Sequence, residues 1–166
     1  MAEMTEAVTR ETNSAAATEA LGTSLARGLR GGELIVLSGE LGAGKTVFVR
    51  GMAKGLDCPP GVRVTSPTYV LQHAYRGGRL TLYHIDAYRI GGGAAEFEAS
   101  GLRECMDDRS GIVCLEWPER LDDLQWPGER IFVQIEHLDP QHRQLTLTAS
   151  GAHAQQLLQT ALGQGH

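Results

Sequence analysis

One octet limits what this chain can become. Gly39-Glu40-Leu41-Gly42-Ala43-Gly44-Lys45-Thr46 fits G-x-x-x-x-G-K-[ST] and directly follows the strand-like run Leu34-Ile35-Val36-Leu37. A buried strand that turns through glycines into a helix is the setting in which a loop wraps phosphate. Successive N–H groups from Glu40 to Val47 point inward, and the helix adds the positive end of its dipole. Lys45 then reaches the β/γ-phosphates and the Thr46 hydroxyl sits on Mg²⁺. This chain's own residue frequencies give roughly one accidental match in 300 such chains. Lysine usage points the same way: of thirteen Arg and two Lys, one Lys is Lys45.

A length of 166 residues leaves room for one domain with a substantial core. Residues 1–13 are polar and aperiodic and read as a loose tail, with residues 14–162 as a single domain. No apolar run approaches a membrane span. A net charge of −5 argues against a broad basic nucleic-acid face, so any RNA contact is expected to pass through a partner. Cys58, Cys105 and Cys114 are odd in number and lack C-x-x-C spacing, as in a cytosolic protein with reduced thiols. The acidic N-terminus does not resemble a signal peptide, and the expected location is the cytoplasm.

Along the chain, Ser14 is a helix N-cap candidate, followed by Ala17, Leu21, Leu25 and Leu29 at helical spacing until Gly31-Gly32. The first buried strand covers 33–38, and a second helix runs through Val47, Phe48, Met52 and Leu56. Runs at 69–75 and 80–85 flank Arg76-Gly77-Gly78-Arg79 and predict a hairpin. Helical stretches are expected at 94–100 and 102–107, a buried strand at 112–116, alternating strands at 130–136 and 144–148, and a last helix at 152–162. The pattern predicts an α/β fold of the P-loop NTPase-like kind: a mixed, mainly parallel sheet with an antiparallel hairpin insertion, flanked by helices.

Phosphate held with Mg²⁺ calls for carboxylates at strand ends. Leu82-Tyr83-His84-Ile85-Asp86 and Ile112-Val113-Cys114-Leu115-Glu116 both end in an acid. In open α/β sheets such ends face the ligand crevice. Asp86 and Glu116 therefore hold metal or orient water, or else cap strands or pair with Arg89 or Arg120. Thr65, Ser66 and Thr68 form either a segment that senses the γ-phosphate or an ordinary turn. His84 shares a strand face with Asp86 and either positions it or is a satisfied half-buried side chain. Core packing is expected for Tyr83 and Tyr88, while Trp117 stands beside Glu116 and could lie against nucleotide or a partner. No guanine-reading N-K-x-D occurs, which leaves adenine by elimination. A phosphotransferase acting on a small metabolite is the alternative, although the arginines are scattered and form no lid.

Taken together, Gly39 to Thr46, Val64-Thr65-Ser66-Pro67-Thr68-Tyr69, Tyr83-His84-Ile85-Asp86-Ala87-Tyr88-Arg89 and Leu115-Glu116-Trp117-Pro118-Glu119-Arg120 resemble the bacterial TsaE (YjeE) family of tRNA threonylcarbamoyladenosine biosynthesis ATPases. The resemblance implies a small ATPase, weak alone, that uses ATP and Mg²⁺ and binds a heterodimer of TsaD and TsaB. That complex transfers a threonylcarbamoyl group from its adenylate to N6 of adenosine 37 in tRNA, and hydrolysis resets it. By motif matching, Lys45 and Thr46 fall on the phosphate and Mg²⁺ positions and Asp86 and Glu116 on the essential acids. Thr68 falls on the switch segment and Trp117 near the nucleotide. Val47 stands where the family often has a second Thr, which removes one hydroxyl contact worth about 1 kcal/mol and keeps the backbone N–H. Gly91-Gly92-Gly93-Ala94-Ala95 replaces a usually more polar stretch.

Overall fold

A computed structural model describes residues 4, 6–40, 42–65, 67, 71–121 and 123–162. Strand β2 (Leu34–Gly39) lies at the centre of a seven-stranded sheet, its first four residues wholly buried. Parallel neighbours flank it: β5 (Gly111–Glu116) on one side and β6 (Arg130–His137) on the other. Beyond β5 come β4 (Thr81–Asp86), parallel, and the edge strand β3 (Gln72–Tyr75), antiparallel. Beyond β6 come β7 (Arg143–Ser150) and β1 (Val8–Thr12), each antiparallel to its neighbour. Aliphatic residues on both faces of β2 suit this position: Ile35 and Leu37 join one apolar cluster, Leu34 and Val36 the other.

The first cluster is covered by α1 (Ala15–Ala26), α2 (Lys45–Gly55) and α5 (Ala152–Leu162); the second by α3 (Gly93–Ala99) and α4 (Arg103–Asp107). Ser14 caps α1 by accepting the Ala17 N–H at 3.0 Å, as its position before the apolar repeat implies. Helices α1 and α2 meet backbone to backbone. A side chain at Gly22 would run into the Phe48 carbonyl, and one at Gly51 into that of Glu19. The seam is tied by the Thr23 hydroxyl, which donates to the Gly51 carbonyl at 2.8 Å, and by the Lys54–Glu19 ion pair. No helix among the described residues is long and apolar enough to cross a membrane.

Two sequence expectations change. Residues 8–12, expected within a loose tail, form β1, in register with β7 from Val8 opposite Leu147 to Thr12 opposite Arg143. An edge strand has solvent on its open side, so it tolerates the polar alternation that made this stretch look unstructured. The sheet is also less parallel than expected. Three of its six pairings among the described residues are parallel and three antiparallel: the β3–β4 and β6–β7 hairpins are local reversals, and β1 comes back from the N-terminal end to close the other edge against β7.

Candidate active site

The octet leaves β2 and folds back over its end. Gly42 and Gly44 take φ of 79° and 112°, a region that side-chain-bearing residues avoid. Gly44 is the N-cap of α2 and supplies no side-chain cap. The Ala43 N–H bonds the Glu40 carbonyl at 3.0 Å, and the Ala43 carbonyl accepts Arg143 Nε at 2.9 Å. Arg143 thus staples the loop to β7 across 100 residues, a contact no local motif announces. Leu41 lies outside the described residues.

Lys45 is 7% exposed and points back toward its own loop. Its ammonium donates to the Gly39 carbonyl at 2.8 Å, lies 3.7 Å from Glu116 Oε1, and stands 4.6 Å from the centre of the Trp117 ring. The parallel register of β4 and β5 sets Asp86 beside Glu116, so both strand-end acids reach the same edge. Glu116, 3% exposed, receives His84 Nε2 on Oε2 at 2.5 Å. His84 therefore serves Glu116 and not Asp86, and is fully rather than half buried: the register pairs it with Cys114, and its ring reaches diagonally along the same sheet face to Glu116, two residues further on. Asp86 is half buried; Oδ1 accepts the Tyr88 N–H at 2.9 Å, and Oδ2 has no protein partner among the described residues. Burial raises its pKa above the ordinary carboxylate value, the Tyr88 N–H opposes this, and the Glu116 charge adds to it.

Pro118 ends β5 after Glu116 and opens a 3-10 turn, Pro118–Leu121. Between them Trp117 adopts φ 62°, a conformation costing about 1–3 kcal/mol in a non-glycine residue, which turns its ring toward Lys45. Tyr83 is buried as expected, but Tyr88 is 52% exposed. The ring of Tyr88 packs on Trp117 at 5.0 Å and lies under the Arg120 guanidinium at 5.2 Å, so it extends the wall of the site and not the core. Of the hydroxyl trio, Ser66 and Thr68 lie outside the described residues. Thr65 exchanges hydrogen bonds with Tyr75: its N–H donates to Oη at 3.2 Å and its carbonyl accepts from Oη at 3.1 Å. It lines a groove with Thr46, Arg50 and Arg63.

The donor set suits an ion shared with a phosphate ligand. No group of three or more His, Cys, Asp or Glu among the described residues could hold a metal unaided. The Thr46 side and the acids Asp86 and Glu116 leave coordination positions to be filled by ligand oxygens and water, as Mg²⁺ prefers.

Comparison with known proteins gives the family of the chain. The sequence model of the family described as "Threonylcarbamoyl adenosine biosynthesis protein TsaE" matches residues 12–145. A TsaE protein of Streptomyces coelicolor is 47% identical over 103 residues, 60% of this chain and 66% of that one. Another, from Treponema pallidum, is 38% identical over 126 residues, covering 76% of this chain and 89% of that protein. The crystal structure of Bacillus subtilis YdiB superposes with a TM-score of 0.73 at 28% identity, over 97% of this chain and 95% of the other. The chain belongs to the TsaE family of tRNA threonylcarbamoyladenosine biosynthesis proteins.

Proposed function

We propose that this protein is a P-loop ATPase that binds ATP with Mg²⁺ and serves, in the cytoplasm, as the accessory subunit of the tRNA-modifying complex of TsaD and TsaB. The observation that carries the reading is the buried Lys45 ammonium. It sits at the mouth of a glycine loop and a helix N-terminus, held among the described residues by the neutral Gly39 carbonyl, the Glu116 carboxylate 3.7 Å away and the face of Trp117. A buried cation beside a helix N-terminus that carries no side-chain cap suits an anion that arrives and leaves.

In this reading the N–H groups from Glu40 to Val47 cradle the phosphates and Lys45 exchanges the Gly39 carbonyl for phosphate oxygens. Bound Mg²⁺ supplies charge neutralisation of the transferred phosphoryl group. The Thr46 hydroxyl and the Asp86 carboxylate would hold it, with Glu116 completing the acid pair and orienting water. Trp117 covers the lysine from outside, and Thr68 belongs to the segment that responds to the γ-phosphate. A cleft of about 400 Å³ beside Gly44 and Val47, between Ser14 and Thr18 of α1 and Arg143 of β7, has room for the nucleoside end. Contact with tRNA is indirect, through the TsaD and TsaB subunits.

The test is ATP turnover by the purified protein alone and with its TsaD and TsaB counterparts. Slow hydrolysis alone and a severalfold rise with the partners is expected. No binding of ATP, or turnover indifferent to the partners, overturns the reading. ADP release that needs a hydroxyl-bearing metabolite favours the phosphotransferase.

A further inference from the structure

Among the described residues Glu116 has two side-chain partners, Lys45 and His84, and on the ATPase reading nucleotide competes for the first. Lys45 lies 3.7 Å from Oε1, and its ammonium is the group that incoming phosphates attract. The other partner cannot follow. His84 is 0% exposed, sits in the middle of β4, and is paired in register with Cys114 of β5 and His73 of β3. Its Nε2 is 2.5 Å from Glu116 Oε2. An ionised carboxylate offers only acceptors, so Nε2 is the donor.

The far side of the ring decides between a packing role and a functional one. Nδ1 is buried and has no hydrogen-bond partner among the described residues. A buried polar atom left unpaired lowers stability, and an aliphatic side chain would fill the same space without that loss. Packing therefore does not account for an imidazole at this position, whereas its single bond to Glu116 does.

We propose that His84 is a positioning residue for Glu116: it donates from Nε2 to Oε2 and keeps Oε1 turned toward the nucleotide once Lys45 has moved to the phosphates. The inference rests on the ATPase reading. It predicts that the carboxylate keeps one orientation through the cycle while its neighbouring cation changes.

Two substitutions test it. His84→Gln sets an amide N–H close to the position of Nε2, and His84→Met keeps comparable bulk without a donor. For folded variants, kcat of His84→Met is expected to fall about tenfold or more with KM for MgATP within about threefold, and His84→Gln to recover most of the loss. A wild-type kcat in His84→Met, an equal loss in both variants, or a loss confined to KM overturns the proposal. Should either variant not fold, the imidazole N–H signal of His84 in the wild-type protein is followed by ¹⁵N–¹H NMR. Persistence on adding MgADP supports the proposal, and disappearance overturns it. Absence of ATP turnover in the wild type would count against the ATPase reading itself, and the NMR result in the absence of nucleotide would still report the His84–Glu116 bond.

Discussion

Two buried glutamates stand at opposite ends of the central strands. Glu33, just before β2, is 2% exposed; Glu116, at the end of β5, is 3% exposed. Each also has a histidine beside it. Glu33 accepts the backbone N–H groups of Arg30 at 2.7 Å and Gly31 at 2.5 Å, with His153 Nε2 at 3.4 Å. Glu116 takes its contacts from side chains, His84 at 2.5 Å and Lys45 at 3.7 Å. Backbone donors belong to the fold and cannot be traded, so Glu33 ties the turn before β2. A lysine ammonium can be traded, which is why the proposed catalytic role falls to Glu116 and not to Glu33. Burial and a histidine do not by themselves mark a working acid; the mobility of its partners does.

The contrast is broken most directly at Glu116. Glu116→Gln is expected to lower ATP turnover by roughly 100-fold or more while the melting temperature barely moves. Glu33→Gln should leave turnover per folded molecule unchanged, and a matching loss there would erase the distinction. Next in size, Glu33→Ala strands two backbone N–H groups and should cost about 3 kcal/mol in urea unfolding at constant slope.

Asp86 gives a smaller effect with a definite sign. Its carboxyl binds a proton more tightly folded than unfolded, chiefly through burial. Stability therefore falls as pH rises through the window just above the ordinary value of 3.8, and stays lower beyond it. Asp86→Asn should flatten that part of a stability–pH curve and be at least as stable as wild type at neutral pH, while hydrolysing ATP more slowly. The smallest change expected is from Val47→Thr: a restored hydroxyl beside the phosphates should tighten nucleotide binding by about 1 kcal/mol in calorimetry.

Much of this was legible in local spacing. The octet, the N-cap Ser14, the hairpin around Gly77-Gly78 and the two strand-end acids each depend on neighbours within a few residues. The structure brings Lys45, Asp86, Glu116 and Trp117 to one edge of the sheet. What escaped depends on register or distance. His84 could be assigned to Glu116 only once β4 and β5 were aligned, and Arg143 to Ala43 only once β7 had returned past the loop. Strand β1 was missed because an edge strand of Val-Thr-Arg-Glu-Thr carries too little apolar alternation to stand out from a tail.

The glycine seam between α1 and α2 carries a mechanical consequence. At Gly22 and Gly51 the two helices touch with no side chain between them to deform, so at these crossings displacement passes directly from one to the other. Any shift of the octet on nucleotide exchange must carry α1 with α2, and with α1 the Thr18 hydroxyl that grips Thr12 of β1 at 2.7 Å. One edge strand of the sheet is thereby linked to the octet, and, on the proposed ATPase reading, amide exchange along residues 8–12 should change when nucleotide binds.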